Sequence, residues 1–322
     1  MNGRILITGA AGFIGGHACR ALLDAGHDVV ALDNLDPFYD RAVKLRTIGE
    51  LARRRRFSFV WGDVRDPAAL DRALHGVDAV VHLAARPGVR PSFRERRLYH
   101  SVNVAGTEAL LAGCRRAGVG GVVYASSSST YGEQPLAPVR ENAGARPISP
   151  YGVTKHLGEL RTRRYSRLHG FRVAALRLFT VYGPSQRPDL AMHRFTRLIR
   201  AGGPIPRYGD GSSERDYTHV EDIVRGVTAA VRWVADGPPA WEAFNLGASV
   251  GVRLDYVIEL IAAAARMTPR VVSLGRRMGD VTRTCADVSK ARRLLGFSPQ
   301  ISVQDGVPAF VDWYKVTHAR QH

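Results

Sequence analysis

The opening of the chain constrains it most. Arg4-Ile-Leu-Ile-Thr8 reads as a short, fully buried strand, and Gly9-Ala-Ala-Gly12-Phe13-Ile14-Gly15 reads as a glycine turn. An apolar-periodic helix follows through Leu23. Strand, glycine turn and helix in that order form the context of a dinucleotide-binding βαβ unit. Gly9 permits the tight turn, Gly12 lets backbone approach a pyrophosphate, and Gly15 lets the helix pack closely on the strand. The helix N-terminus then offers free N–H groups to the phosphates, which puts Phe13 and Ile14 in the cofactor set. A second apolar strand, Asp28-Val-Val-Ala-Leu32, ends in Asp33-Asn34. A carboxylate there accepts from both adenosine ribose hydroxyls and repels a 2′-phosphate, which favours NAD over NADP.

The alternation continues. The pattern predicts strands over 3–8, 28–32, 57–61, 78–83, 120–125 and 172–177. It predicts helices over 13–25, 41–53, 67–74, 101–117, 151–169, 190–201, 220–234 and 253–266. This spacing implies an α/β fold, a Rossmann-type doubly wound parallel sheet with helices on both faces. Past residue 178 the pattern loosens, and glycine and proline cluster in 183–188, 202–211 and 237–239. We therefore expect an NAD-binding domain over 1–178, with 216–248 returning to it through a strand near Phe244-Asn-Leu-Gly247. Residues 179–215 and 249–322 then make a smaller, mixed C-terminal substrate-binding lobe over the carboxyl edge of the sheet.

The 322 residues are 45% hydrophobic, which suits a globular protein with ample core, and no run is long enough to span a membrane. The strand that begins within four residues of the N-terminus leaves no room for a signal peptide. Cys19, Cys114 and Cys285 are scattered without metal spacing, so no metal is expected and a cytoplasmic setting is. A formal charge of +17 raises the question of nucleic acid. Yet Arg53-Arg-Arg-Arg56 is the one dense run, and no aromatics interleave the other arginines, so a solvated basic surface is the reading and no nucleic-acid partner is expected. A diphosphate-bearing substrate suits a basic cleft.

Lysine is rare here: of 46 Lys and Arg, only Lys44, Lys155, Lys290 and Lys315 are Lys. Lys155 stands four residues after Tyr151 in Ser-Pro-Tyr-Gly-Val-Thr-Lys, on the same helix face. A compact ammonium can lower the phenol's pKa and hold a sugar hydroxyl, a role the guanidinium shape does not suit. Residues suited to a cofactor end the other strands. Asp63, beside Val64, can accept from the adenine amino group, and Leu83, Ala84 and Ala85 let backbone pass close. Asn103 opens a long helix and can fix the neighbouring turn. The fifth strand ends in Ala125-Ser126-Ser127-Ser128-Ser129-Thr130-Tyr131-Gly132, a row of hydroxyls able to bridge a sugar hydroxyl and the Tyr151 phenol.

Together, Gly9-x-x-Gly12-x-x-Gly15, the serine row before Tyr131-Gly132, and Tyr151-x-x-x-Lys155 resemble the extended short-chain dehydrogenase/reductase family. The nearest subgroup is the nucleotide-sugar 4-epimerases, supported by Arg177-Leu-Phe179-Thr180-Val-Tyr-Gly183, Arg215-Asp-Tyr-Thr-His-Val-Glu-Asp222 and Arg277-Met-Gly-Asp280. The resemblance covers residue 3 to about 315. It implies Tyr151 as general base, Lys155 and Ser127 as its catalytic partners, and Ser126 and Phe179 beside a resident NAD. Ser128 and Ser129 stand where related dehydratases and decarboxylases carry acids, which leaves a bare redox cycle at C4. Arg187, in Tyr182-Gly-Pro-Ser-Gln-Arg187-Pro-Asp-Leu-Ala191, resembles the arginine that forks onto the sugar carboxylate in UDP-glucuronate 4-epimerases. Thr180 and Arg90 also resemble that subgroup, although Pro91 replaces its usual aromatic residue. Arg215 and Arg277 are implied to hold the diphosphate, and Asp280 a uridine ribose hydroxyl. The implied substrate is a UDP-sugar, most like UDP-glucuronate. UDP-glucose 4-epimerisation, another NAD-dependent nucleotide-sugar oxidoreduction or decarboxylation, and an NAD-sensing regulator remain alternatives. The helices 101–117 and 151–169 are implied to pair in a homodimer.

Overall fold

In the computed structural model, which describes residues 2–275 and 279–318, strand and helix alternate through the first half of the chain. The order is β1 (Arg4–Thr8), α1 (Phe13–Asp24), β2 (Asp28–Asp33), α2 (Arg41–Leu51), β3 (Phe57–Trp61), α3 (Pro67–Leu74) and β4 (Ala79–His82). Two short helices, α4 (Val89–Ser92) and α5 (Arg96–His100), then lead through a π-helical turn, Ser101–Ala105, into α6 (Gly106–Ala117). β5 (Gly121–Ser127), α7 (Pro150–His169) and β6 (Arg172–Leu178) complete this half. Its elements follow the predicted positions closely because each is locally punctuated. Ser149 caps α7 through the Gly152 N–H at 3.1 Å, Pro150 fills the first helical position, and Gly170 ends the helix at φ +72°.

These strands, with β10 (Ala240–Leu246), form one seven-stranded parallel sheet in the order β10-β6-β5-β4-β1-β2-β3. Side chains alternate across it. Ile5 and Ile7 join one buried cluster with Leu22, Val227 and Phe244, while Leu6 joins another with Leu70, Val80 and Leu110. The order reverses direction between β1 and β4, so a crevice opens there at the carboxyl ends of the strands.

The second half holds more regular structure than its glycine- and proline-rich sequence predicts. It comprises β7 (Thr180–Tyr182), α8 (Ala191–Arg200), β8 (Pro204–Tyr208), β9 (Glu214–His219), α9 (Val220–Ala235), β11 (Gly251–Arg253), α10 (Leu254–Ala265), β12 (Arg270–Leu274), α11 (Ser289–Leu295) and α12 (Val303–Thr317). Two small sheets, β11-β9-β7 and β12-β8, escape sequence reading because their strands are short and pair with distant partners. A third apolar cluster, including Met192, Phe195, Ile258, Val307 and Phe310, sits under them. The segment 101–117 also departs from the single helix predicted. Its first turn is widened, and Asn103 there bonds the Arg86 backbone.

Candidate active site

A cavity of about 430 Å³ occupies the crevice. Its floor is the turn predicted from sequence. Gly9 has φ +70°, and a Cβ there would lie 2.7 Å from the Ala84 nitrogen. A Cβ at Gly15 would collide with the Gly9 carbonyl. Only glycine lets strand end, helix start and the Leu83–Ala85 segment converge in this way. Gly12 precedes α1 in extended conformation with no side-chain cap, which leaves the first N–H groups of the helix, around Phe13 and Ile14, facing the cavity. The residues therefore fit a dinucleotide with its pyrophosphate at this helix end.

Asp33 lies at the end of β2, buried, and accepts from the Ala11 and Leu35 N–H groups at 3.1 and 2.8 Å. Lys44 of α2, also buried, stands 3.7 Å from its Oδ1. Sequence reading passed over Lys44, although lysine's rarity in this chain marks it as much as Lys155. Asp63 lines the cavity with both oxygens engaged: Arg65 donates to each at 2.8 Å, and Asn34 donates to Oδ2 at 2.8 Å. That Arg65 fork holds its pKa down to about 2. His82 bonds Thr8 and Thr107 at 2.7 and 3.0 Å, and burial lowers its pKa to about 3. It is a neutral tie between β1, β4 and α6 rather than an acid or base.

On the opposite wall, α7 lies against β5. Ser126, Ser127, Ser128, Ser129, Tyr151 and Lys155 all line the cavity. Burial pushes the Tyr151 phenol up, while a hydrogen bond with Ser127 and the charge of Arg187 pull it down. The sequence suggested Lys155 as the source of the downward pull. The Lys155 ammonium donates to the Ala125 carbonyl at 2.7 Å and stands 6.0 Å from the Tyr151 ring centre. Burial lowers the Lys155 pKa to about 8, against an upward pull from Glu159.

Glu159, one turn beyond Lys155, escaped sequence reading although its spacing put it on the same face. Ser126 donates to Glu159 at 2.5 Å, and Arg177 forks onto both carboxylate oxygens at 2.8 Å. Arg177 also donates to the Tyr131 hydroxyl at 2.9 Å, and Tyr131 in turn donates to Asn245 on β10 at 2.7 Å. This buried chain fixes the end of β5 from behind.

The remaining predicted residues divide. Val64, Leu83, Ala84, Ala85, Phe179, Thr180 and Arg187 line the cavity. Asn103 does not; it is buried beneath, donating to Thr154 at 3.0 Å and holding the Arg86 backbone, so it supports the wall. Arg90 is exposed, its guanidinium 5.8 Å from the Tyr208 ring centre. Arg215 donates to the Glu214 carbonyl at 2.9 Å, and Asp280 is exposed; neither lines the cavity. Arg277 lies outside the described residues. Arg187 is not a free fork: it donates from Nε and Nη2 to Asp189, each at 2.9 Å.

The model of the NAD dependent epimerase/dehydratase family matches residues 5–247, the sheet and both walls of the cavity. The chain belongs to that family. The UDP-glucuronate 4-epimerase of Thermodesulfobacterium geofontis is 37% identical over 97% of this chain and 96% of its own. The uncharacterized UDP-glucose epimerase YtcB of Bacillus subtilis is 38% identical over 94% of this chain and 95% of its own. Among solved structures, the Bacillus cereus UDP-glucuronic acid 4-epimerase in complex with UDP-glucuronic acid and NAD superposes with a TM-score of 0.93. It is 36% identical and covers 98% of this chain and 99% of that one. As a member of this epimerase/dehydratase family the chain is an NAD-dependent enzyme, and its glycine turn and Asp33 are the residues on which such a cofactor fits.

Proposed function

We propose that this protein interconverts UDP-glucuronate and UDP-galacturonate by NAD-dependent epimerisation at C4. The observation that carries the reading is that one cavity holds the Ser127–Tyr151 pair, Lys155 and Arg187 together. The carboxylates among the described residues that line it, Asp33, Asp36 and Asp63, stand at or after the ends of β2 and β3, across the sheet edge from the serine row. Among the described residues no acid then lines the cavity beside Ser128 and Ser129 for dehydration. NAD, when bound, accepts the C4 hydride and returns it. Tyr151 takes the proton of the 4-hydroxyl as general base and gives it back as acid. Ser127 shares that hydrogen bond and steadies the developing ketone oxygen. Lys155, anchored on Ala125, keeps a positive charge near the phenol. Arg187, Thr180 and the serine row hold the sugar carboxylate out of line with the 4-ketone, which suppresses loss of CO2. Arg215, Asp280 and Arg90, which do not line the cavity, are assigned to the UDP portion and the rim, as is Arg277, which lies outside the described residues.

The reading extends to a homodimer formed through α6 and α7, supported by the exposed Val153, Leu160 and Leu168 on α7. It also extends to a cytoplasmic setting, which the three buried free cysteines favour. Among the described residues no helix is long and apolar enough to cross a membrane. Paired steady-state assays on UDP-glucuronate and UDP-glucose test the substrate. We expect the larger kcat/KM on UDP-glucuronate; a larger value on UDP-glucose would transfer the same chemistry to the neutral sugar.

A further inference from the structure

Asp189 plays no part in the chemistry above, yet it meets the residue that reads the sugar. A guanidinium carries five N–H donors, and two of its edges can take a carboxylate with paired bonds. Asp189 occupies one such edge, Nε and Nη2, each at 2.9 Å. Nη1 donates to no described residue. Arg187 lines the cavity, but Asp189 does not; its side chain is more exposed, 36% against 17% for Arg187. Asp189 therefore holds Arg187 from outside the cavity. The guanidinium face is fixed as well: it lies 5.7 Å from the centre of the Phe38 ring. Phe38 in turn lies 4.8 Å from the Arg86 guanidinium, which an ion pair with Asp36 at 2.6 Å anchors. Pro188 stiffens the link between the two partners, and the Leu190 N–H closes a turn onto the Arg187 carbonyl at 3.2 Å.

We infer that Asp189 is a positioning residue that aims the remaining donor edge of Arg187 at the substrate carboxylate, and so helps set selectivity for a charged C5 group; the inference rests on the reading of Arg187 proposed above. An aspartate competing for the fork would have to share the substrate's space, and Asp189 does not line it. Misaiming a clamp by about an ångström costs on the order of 10²-fold, and an asparagine that keeps one of the two bonds loses part of that.

The test compares Asp189→Asn and Arg187→Ala on both UDP-glucuronate and UDP-glucose. Retained NAD content certifies the fold; should Asp189→Asn fail that check, Asp189→Ser is read in its place. We expect Asp189→Asn to lower the glucuronate-to-glucose ratio of kcat/KM on the order of tenfold, mainly through KM for UDP-glucuronate. A merely structural role would lower activity on both sugars alike. An unchanged or increased ratio in Asp189→Asn, with the ratio lowered in Arg187→Ala, overturns the positioning role and leaves the reading of Arg187 standing. An unchanged ratio in Arg187→Ala overturns that reading itself.

Discussion

The two sides of the cavity are built on different principles. The cofactor side is mostly backbone: a glycine turn, strand ends and a helix N-terminus, with Asp33 fixed by two N–H groups and Lys44. The sugar side is mostly side chains that hold one another, some within a turn and others across long stretches of sequence. There Arg187 leans on Asp189 and Phe38, Ser126 on Glu159, and Glu159 on Arg177. Backbone geometry binds one cofactor in one way. Side-chain partnerships can be exchanged singly, so on the proposed reading the sugar side is where selectivity for one substrate over another resides.

Substitutions on the two sides should therefore fail differently. The largest effect should come from Tyr151→Phe, which removes the one proposed proton carrier while leaving the cofactor side intact. General acid–base contributions run to about 10²–10⁴-fold, so we expect kcat to fall by about 10³ with bound nicotinamide unchanged. Substantial activity in that variant would place the base elsewhere. Next, Gly15→Ala should act on the opposite side. Its Cβ collides with the Gly9 carbonyl, and relieving such overpacking costs roughly 1–3 kcal/mol. Displacing that turn should weaken the hold on NAD, visible as nicotinamide lost during purification, with both sugars affected equally.

Arg187→Ala should show the contrasting signature. NAD content should stay normal while kcat/KM on UDP-glucuronate drops about 10- to 150-fold, as for a lost charge-assisted hydrogen bond of roughly 1.5–3 kcal/mol. UDP-glucose turnover should fall by a smaller factor, since both sugars lose the Arg187 charge that pulls the Tyr151 phenol down but only UDP-glucuronate loses a partner for its carboxylate. Some decarboxylated UDP-4-keto-pentose should appear by NMR. Equal losses on the two sugars would erase the distinction between the two sides.

The smallest effect is a shift in pH dependence. Lys155 has a pKa of about 8, lowered by burial and supported by Glu159. Its ammonium is lost as pH rises through that value, so kcat/KM should decline above about pH 8, and Glu159→Gln should move this limb to lower pH. Stability runs the other way. The unfolded lysine keeps its proton up to 10.5, so between about 8 and 10.5 the unfolded state binds more protons and Lys155's contribution to stability rises with pH. A limb that does not move in Glu159→Gln would separate Glu159 from the lysine.

How much of this was legible in sequence follows the same division. Gly9, Gly12, Gly15, Asp33 and the Tyr151–Lys155 pair could be read because each belongs to a contiguous strand, turn or helix. Their roles depend on local geometry that the residues themselves impose. Lys44 and Glu159 carried weaker signals, rarity and helical spacing, because their partners are met only after folding. Asp189, two residues from Arg187, has a local partner, but nothing in its sequence shows that the two side chains pair. Glu159 reaches Arg177 on β6, and Arg187 of the second half reaches Phe38 after β2. The same limit hid β12, whose five residues are all exposed and pair in parallel with β8 some 66 residues earlier. The anchoring of Lys155 was hidden for a related reason. Helical spacing places Lys155 beside Tyr151 but does not say where its ammonium points, and it points to the Ala125 carbonyl.

Proton NMR of UDP-glucuronate incubated in D2O with the purified protein, without added cofactor, tests the central claim most directly. The account predicts UDP-galacturonate formed over many turnovers, with no deuterium at C4, because the hydride never leaves the cavity and the bound NAD is restored in each cycle. Deuterium at C4, or product that forms only while added NAD is consumed in proportion, would contradict it.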